Sequence, residues 1–334
     1  MTNRPPAHTA TLAALALLAA CAGDDTTDYT VAREYWSHPD SVMVGLGQLT
    51  DVKALSRENV WVADLMAGAI YSIAPGEGRY VGIGMGENEP TEVRTPAKIA
   101  LSREYGLAAF DGETRMVDLF TLEGEHIRGF EPGFVPAVME FSRQPVGLTF
   151  GVAAEDSAGV RRSVVIRTGL RGEERDTLLS PSHGPETLRP SVARPGETSM
   201  AASSTGMWVW SRLAPDTIFE LSPGGVRRLL VRPADTTAVA ILSDRERDML
   251  WLVHPDTLVR RYSAYDARLA APEGEDPAPG SLAYLGERTT PEGFGPAAVH
   301  DGIIMGVRRG PRGLRMMAYD LNADRFARPE AEAR

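Results

Sequence analysis

The chain has 334 residues, a formal net charge of −10, 33 glycines, 24 prolines and a single cysteine. The acidic balance disfavours nucleic acid as a partner, because phosphate binding needs a basic surface. The lone cysteine excludes a disulfide within the chain and a thiolate metal cluster. The many glycines and prolines favour a fold rich in turns over a helical bundle.

The N-terminal segment predicts export and lipid attachment. Arg4 precedes the apolar stretch Ala10–Ala20, which is too short to span a bilayer and has the length of a secretory h-region. It ends in LAAC, which resembles the bacterial lipobox. The resemblance implies cleavage before Cys21 and a lipid on its sulfur, which would anchor the chain to a membrane. The alternative is an ordinary signal peptide with a chance cysteine.

Short apolar runs recur downstream of this segment. Ser56 and Ser102 lie 46 residues apart in matching stretches, and Asp64 and Asp111 lie 47 residues apart. Each opening run is followed by a second apolar run, and most by a turn and a third. Six such units, each of four short strands, predict an all-β, six-bladed β-propeller with antiparallel blades. The opening runs are Trp61–Asp64, Leu107–Asp111, Leu148–Val152, Trp208–Trp210, Leu250–Val253 and Ile303–Val307.

The pattern VWVAD, IYSI, GEG and then GENEPTEVRTPAKIALS resembles six-bladed propellers related to NHL-repeat and TolB-like proteins. The likeness is good over Leu46–Phe130, weaker over Trp208–Leu230 and faint around Phe141–Leu179. The later units depart from it at the strand-ending Asp, where Val152, Ser211, His254 and Val307 stand.

The last unit offers only three clear strands. We therefore predict that an N-terminal strand closes the ring, because closure removes exposed sheet edges. Ser41–Leu46 would supply this strand, either alone or together with Tyr29–Trp36. The predicted domains are a signal peptide (1–20), a flexible tether (21–28), the propeller (29–328) and a C-terminal tail (329–334).

A binding face is predicted where the loops after the second strands and before the first strands meet at the channel mouth. The alternative for each residue alone is a solvated loop charge or a turn-capping carboxylate. The candidates are Asp64, Asp111, His254, Glu92, Arg94 and His183.

Recognisable catalytic and cofactor motifs were not found, so no cofactor is predicted. The histidines have no zinc-binding spacing and no calcium loop occurs, although ligands from several blades could still assemble a channel metal. Ser182-His183 is interpreted as a loop pair, and the two His-Pro-Asp tripeptides as turns. Trp208 and Trp210 are interpreted as packing between blades, with carbohydrate binding as the alternative.

Together these features favour a lipid-anchored, non-catalytic binding or scaffolding module of the cell envelope. Its partner would be an envelope protein or a small ligand. Ala22 after the lipid cysteine favours the outer membrane, if the organism has one. The alternative is a propeller hydrolase or lactonase with a channel metal held by carboxylates. Three or more Asp, Glu, Asn or His side chains converging in the channel would favour that alternative.

Overall fold

Short strands joined by tight turns follow the apolar runs of the sequence. In the computed structural model, the apolar residues of the first and second strands of each blade are largely buried. Many of them are β-branched or aromatic, which are the residue types that favour such strands. The structure describes residues 30–37, 46–74, 81–83, 93–143, 145–155, 161–173, 175–179, 189–191, 198–203, 206–232, 235–255, 260–268, 280–310 and 313–326.

The first three blades are antiparallel sheets whose strands lie in chain order from the inside outwards. Blade 1 consists of β3 (Leu49–Ser56), β4 (Asn59–Asp64), β5 (Ala69–Ile73) and β6 (Val81–Ile83). Blade 2 consists of β7 (Pro96–Ser102), β8 (Gly106–Asp111), β9 (Val117–Phe120) and β10 (His126–Phe130). Blade 3 consists of β11 (Val138–Arg143), β12 (Val146–Glu155), β13 (Arg161–Thr168) and β14 (Arg175–Leu179), with β15 (Arg189–Ser191) beside β12.

The last three blades repeat this order, with additions at the outer edge. Blade 4 consists of β16 (Thr198–Ala202), β17 (Met207–Ser211), β18 (Ala214–Ser222) and β19 (Gly225–Leu230), with β23 (Gly280–Ser281) parallel to β19. Blade 5 consists of β20 (Ala240–Asp244), β21 (Met249–His254), β22 (Arg260–Asp266) and β24 (Ala283–Thr290), and Val31 of β1 (Thr30–Val31) lies at its edge. Blade 6 consists of β25 (Phe294–His300), β26 (Ile303–Gly310), β27 (Gly313–Asp320) and β2 (Arg33–Ser37). A 3-10 turn, Ala323–Arg325, follows.

The first strands of the six blades contact one another in sequence and form the wall of a central channel. They follow the order β3, β7, β11, β16, β20 and β25, and β25 returns to β3. The apolar core is divided among the six interfaces between neighbouring blades. Each fully buried Val, Leu or Ile side chain stabilises such an interface by about 1.5–3 kcal/mol. The six-bladed propeller predicted from the sequence is therefore confirmed.

An N-terminal strand closes the ring, as predicted, and it is Arg33–Ser37. This strand pairs antiparallel with β27 as the outer strand of blade 6, so the first and last parts of the propeller share one sheet. Trp36 donates from its indole nitrogen to the Arg57 carbonyl of blade 1 at 3.0 Å. Of the other predicted closing segment, Ser41–Gly45 lies outside the described residues, and Leu46 precedes β3.

All six blades belong to one compact unit that begins at Val31. Within the described part of the chain, no helix has the length and apolarity needed to cross a bilayer. The predicted signal peptide, tether and C-terminal tail lie outside the described residues, so their boundaries stay predictions.

Candidate functional site

One position on the second strand of every blade faces the next blade, and we call it the sealing position. Gly106, Gly147 and Gly206 are equivalent positions at the start of the second strands of blades 2, 3 and 4. At each of them an added Cβ would lie 2.0–2.1 Å from a carbonyl oxygen of the third strand. The sealing position is two residues further on. In blades 1 to 6 it is occupied by Trp61, Ala108, Thr149, Trp208, Trp251 and Met305.

Blade 3 alone places a polar side chain at the sealing position. Trp61, Trp208 and Trp251 are at most 1% exposed and fill the interfaces that follow blades 1, 4 and 5. Thr149 faces blade 4, as does Gly151 on the same strand, whose added Cβ would meet Thr198 and Met200. Thr149 is much smaller than an indole, and blades 3 and 4 leave a gap here. Ala108 is smaller still, but Phe110, Phe134 and Phe150 fill the interface that follows blade 2.

This gap is a solvent-connected cleft of about 970 Å³. Its walls are the strand ends and turns of blades 3 and 4, and Arg245 enters from blade 5. Deeper in the same interface, Val165, Met200 and Val209 close the two blades against each other. Clefts of this size commonly hold small ligands or a peptide segment.

Arginines dominate the charged lining of the cleft. Arg167 forms an ion pair with Asp176, Nη2 to Oδ2 at 2.7 Å. Arg245 donates from Nε to the Ala202 carbonyl at 3.1 Å. Among the described residues, neither Arg143 nor Arg245 forms an ion pair. In a chain of net charge −10, this local positive surplus is a departure from the overall balance.

The hydroxyl of Thr149 lacks a hydrogen-bond partner among the described residues, although the residue is only 1% exposed. It lies between Glu140 on β11 and Arg167 on β13, its direct register partners. Leaving a buried hydroxyl unpaired costs about 1–3 kcal/mol. Native buried polar groups are normally paired with protein or water. The indole nitrogens of Trp61, Trp208 and Trp251 also lack a partner among the described residues, but Thr149 is the one that lines an open cleft.

An ion pair crosses the central channel next to the cleft. Lys53 of blade 1 contacts the carboxylate of Glu140 of blade 3, and the two side chains are 16% and 10% exposed. Burial alone would lower the pKa of Lys53, but Glu140 and Asp51 raise it above its ordinary value. Lys53 therefore stays charged. The described residues contain no group of three His, Cys, Asp or Glu side chains that could hold a metal.

Two residues of the predicted binding face, Asp64 and Asp111, are buried carboxylates that hold turns. Asp64 accepts the backbone N–H groups of Gly47 at 2.6 Å and Gln48 at 3.1 Å, and those of Met66 and Ala67. Asp111 makes the same contacts 47 residues later. Its side chain is 1% exposed. The turn-capping interpretation describes both residues.

Electrostatics agree with this capping role for Asp111. Burial raises its pKa, but the backbone N–H and hydroxyl of Thr95 and the N–H groups of Thr114 and Arg94 more than offset this, so the pKa lies below its ordinary value. The side chain of Arg94 is exposed, and its backbone N–H donates to Asp111 at 2.6 Å.

In blade 5, His254 occupies the position equivalent to Asp64 and Asp111. Unlike those aspartates, which accept from backbone N–H groups, His254 contacts a carboxylate, that of Asp235. Its Nε2 lies 3.1 Å from Asp235 Oδ1 and 3.0 Å from Ser263 Oγ. Ser263 donates to the same Asp235 oxygen at 2.6 Å, and Tyr265 donates to the other. Arg232 pairs with Asp235 as well, Nε to Oδ2 at 2.9 Å.

This cluster combines Ser, His and Asp but is unsuited to nucleophilic catalysis. Asp235 and Ser263 are 0% exposed and His254 is 2% exposed, so substrate has no approach to the hydroxyl. The serine proton is also donated to the aspartate rather than to the histidine, contrary to the order that a catalytic triad needs. We therefore assign the cluster a structural role between blades 4 and 5.

The remaining predicted residues lie outside the described part of the chain or are buried in packing. Cys21, Glu92 and His183 lie outside the described residues. That all six candidates of the binding face meet at the channel mouth therefore stays a prediction. Trp208 and Trp210 are buried in packing, at 1% and 0% exposed, in agreement with their interpretation as packing between blades. Sequence reasoning missed the cleft, Thr149 and Asp235, none of which belongs to a recognisable motif.

Comparison with known proteins supports the fold. No protein-family model and no curated protein sequence matches the chain. Solved structures of similar fold include the "Putative exported protein" of Bacteroides fragilis, with a TM-score of 0.55 and 9% identity over 87% of this chain and 98% of that one. TolB from Acinetobacter baumannii has a TM-score of 0.44 and 12% identity, covering 81% of this chain and 62% of TolB. Virginiamycin B lyase from Staphylococcus aureus has a TM-score of 0.42 and 13% identity, covering 81% and 94%. At such identities the likeness concerns the fold alone.

Proposed function

We propose that this chain is a lipid-anchored binding module of the cell envelope and that the cleft between blades 3 and 4 is its binding site. The observation that carries the proposal is the cleft itself. It is open to solvent and contains polar groups, Thr149 and Arg143, that have no partner among the described residues. The buried cluster around Asp235 is closed on itself. A ring of packed blades supplies a rigid frame, on which binding surfaces are commonly built.

A channel hydrolase finds less support in the residues of the channel. Lys53 forms an ion pair with Glu140 there, and the Arg245 guanidinium is also attracted to the Glu140 carboxylate. A divalent cation needs several carboxylate or histidine ligands and is repelled by nearby cationic groups. We therefore propose binding without turnover.

Photo-crosslinking in intact cells tests the binding site. A photoreactive residue is placed at Val226 in the cleft wall, and a matched control at Leu213, on another turn of blade 4. The two side chains are 50% and 51% exposed, so they differ in position rather than accessibility. We expect covalent adducts, detected by mass spectrometry, from Val226 and not from Leu213. Equal labelling at both positions, or none at Val226, would overturn the proposal.

A second variant closes the cleft without removing a charge. Thr149→Trp places at the sealing position the residue that blades 1, 4 and 5 carry there. We expect adducts at Val226 to disappear while the thermal unfolding transition stays cooperative. Retained adducts in a folded Thr149→Trp variant would place the binding site elsewhere.

Membrane anchoring has its own test. Cys21→Ser removes the acceptor thiol, and the expectation is that the folded propeller then moves from the membrane pellet to the soluble fraction. Metabolic labelling with a fatty acid should mark the natural chain and not the variant. Absence of label on the natural chain would contradict the lipid anchor and leave the cleft proposal standing.

A further inference from the structure

The cleft has two cationic groups, Arg143 and Arg245, that form no ion pair with the described residues. Four arginines lie at equivalent turns between first and second strands. Three of them donate to a carbonyl of the preceding blade: Arg57 to Asp301 at 2.9 Å, Arg103 to Leu55 at 2.7 Å and Arg245 to Ala202 at 3.1 Å. Arg143, the fourth, has no such bond among the described residues.

Arg245 is the more enclosed of the two cleft arginines. Burial lowers its pKa, Glu140 partly restores it, and the neighbouring Arg143 lowers it again. Two guanidinium groups facing one space repel each other, and an anion between them would relieve that repulsion. Guanidinium groups suit carboxylates and phosphates, since they offer paired donors in one plane.

Thr149 adds a neutral donor to this positive surface. Its unpaired hydroxyl lines the same cleft, and its register partner Glu140 is already engaged by Lys53. The acidic group on that side is therefore neutralised, as is Asp176 by Arg167 on the other side. The surplus charge of the described lining thus resides on Arg143 and Arg245.

The remaining lining of the cleft is largely apolar. Met207 and Leu221 are 3% and 6% exposed, and Phe141 is 5% exposed. Val226 extends this wall to the surface, where half of its area is exposed. A ligand that covers the wall is stabilised by burying apolar surface.

We infer that the cleft binds an amphiphilic organic anion, with a carboxylate or phosphate head on Arg143, Arg245 and Thr149 and an apolar body along the wall of blade 4. This inference rests on the proposed binding site and names its ligand class. The site binds an anion and carries out no reaction on it.

Isothermal titration calorimetry with four probes tests the ligand class. Octanoate and octyl phosphate carry both parts, inorganic phosphate carries the head alone, and octyl glucoside carries the tail with a neutral head. All are used below their micelle concentrations. We expect both amphiphilic anions to bind and the other two probes to bind at least tenfold more weakly. The two anions also distinguish a carboxylate site from a phosphate site. Equal binding of octyl glucoside, or no binding of either anion, overturns the inference.

Substitutions locate the head group. We expect Arg245→Gln and Arg143→Gln each to weaken binding of the preferred anion about tenfold or more, and Thr149→Val to weaken it about threefold to tenfold. Arg103→Gln is the matched control, since it loses the same kind of bond to the preceding blade and lies outside the cleft. Unchanged affinity in a folded Arg143→Gln, Arg245→Gln double variant would refute the assignment.

Failure of this inference is distinguishable from failure of the proposed function. If Val226 yields adducts in cells and neither anion binds in the calorimeter, the cleft is a binding site for a different ligand class. If Val226 yields no adducts, the binding site itself is wrong.

Discussion

The interfaces on the two sides of blade 4 share one strand register and differ in how they are filled. Towards blade 5, Trp208 packs with Leu250, Leu252 and Tyr265 in a continuous apolar cluster. Towards blade 3, Thr149 stands at the equivalent place, and a cleft of about 970 Å³ remains. Because the strand register is the same on both sides of blade 4, the side chains that face each interface decide between core and cavity.

Charged groups follow the same division. On the blade 5 side, Asp235 is enclosed by donors, and Arg232 extends the network outwards to lie 3.3 Å from the centre of the Tyr284 ring. On the blade 3 side, Arg143 and Thr149 point into a cleft without protein partners in the described part of the chain. The paired charges around Asp235 hold the ring together, whereas the exposed Arg143 is available to a ligand.

The strongest test of this comparison converts the sealed interface into the open one. Trp208→Thr should remove about 3–5 kcal/mol of unfolding free energy, because a large buried side chain is lost and the cavity can collapse only partly. Urea denaturation followed by far-ultraviolet circular dichroism measures the loss. Leu213→Ala, at an exposed position of the same blade, should change stability by less than about 0.5 kcal/mol. A loss below about 1 kcal/mol for Trp208→Thr would show that the tryptophan is not the seal.

The second test separates the two kinds of charge. Asp235→Asn should cost about 3 kcal/mol, because it removes the charge of a fully buried carboxylate that accepts from Ser263, Tyr265 and Arg232. Arg232 keeps its ion pair with Glu287. Arg245→Gln should cost less than about 1 kcal/mol, because it breaks one hydrogen bond and no ion pair. Both are measured by urea denaturation at pH 7. Similar losses in the two variants would contradict the assignment of one group to structure and the other to binding.

Much of the ring was accessible from the sequence because its determinants are local. Runs such as Leu107–Asp111 are apolar on both faces, and their recurrence specifies strands buried between blades. The closing strand was harder to place, since Arg33–Ser37 has few apolar residues and depends on pairing with β27, far along the chain. Blade 5 likewise takes its outer strand from Ala283–Thr290, after a long connection that masks the repeat.

The candidate site depends on relations that the sequence does not display. Thr149 lies in the run LTFGV, which resembles an ordinary buried strand. Only the register with β11 and β13 reveals that it occupies the position where three other blades carry a tryptophan. Asp235 lies in a polar loop with no spacing motif. By contrast, the matching positions of Asp64 and Asp111 were visible, but their carboxylates are occupied by backbone N–H groups.

The smallest expected effect is a difference in pH dependence between the two sides of blade 4. Burial raises the pKa of Asp235, but His254, Arg232, Ser263 and Tyr265 lower it well below its ordinary value. A carboxyl with a lowered folded-state pKa binds fewer protons than in the unfolded chain. Its contribution is therefore complete above about pH 5 and declines as the pH falls through the unfolded value near 3.8 and below.

The stability gap between the natural chain and Asp235→Asn should thus narrow as the pH is lowered from 6 to 3.5, by at most about 1.4 kcal/mol per pH unit. Urea denaturation series at several pH values measure this gap. Asp118 and Asp244 have raised pKa values and act in the opposite direction, but they are present in both chains and cancel. Leu213→Ala serves as the comparison, since this side chain is uncharged and half exposed, and its gap to the natural chain should stay constant over the same range. A constant gap for Asp235→Asn would mean that the cluster on the sealed side is not held by an ionised carboxylate, and the contrast between the two interfaces would then rest on Trp208 and Thr149 alone.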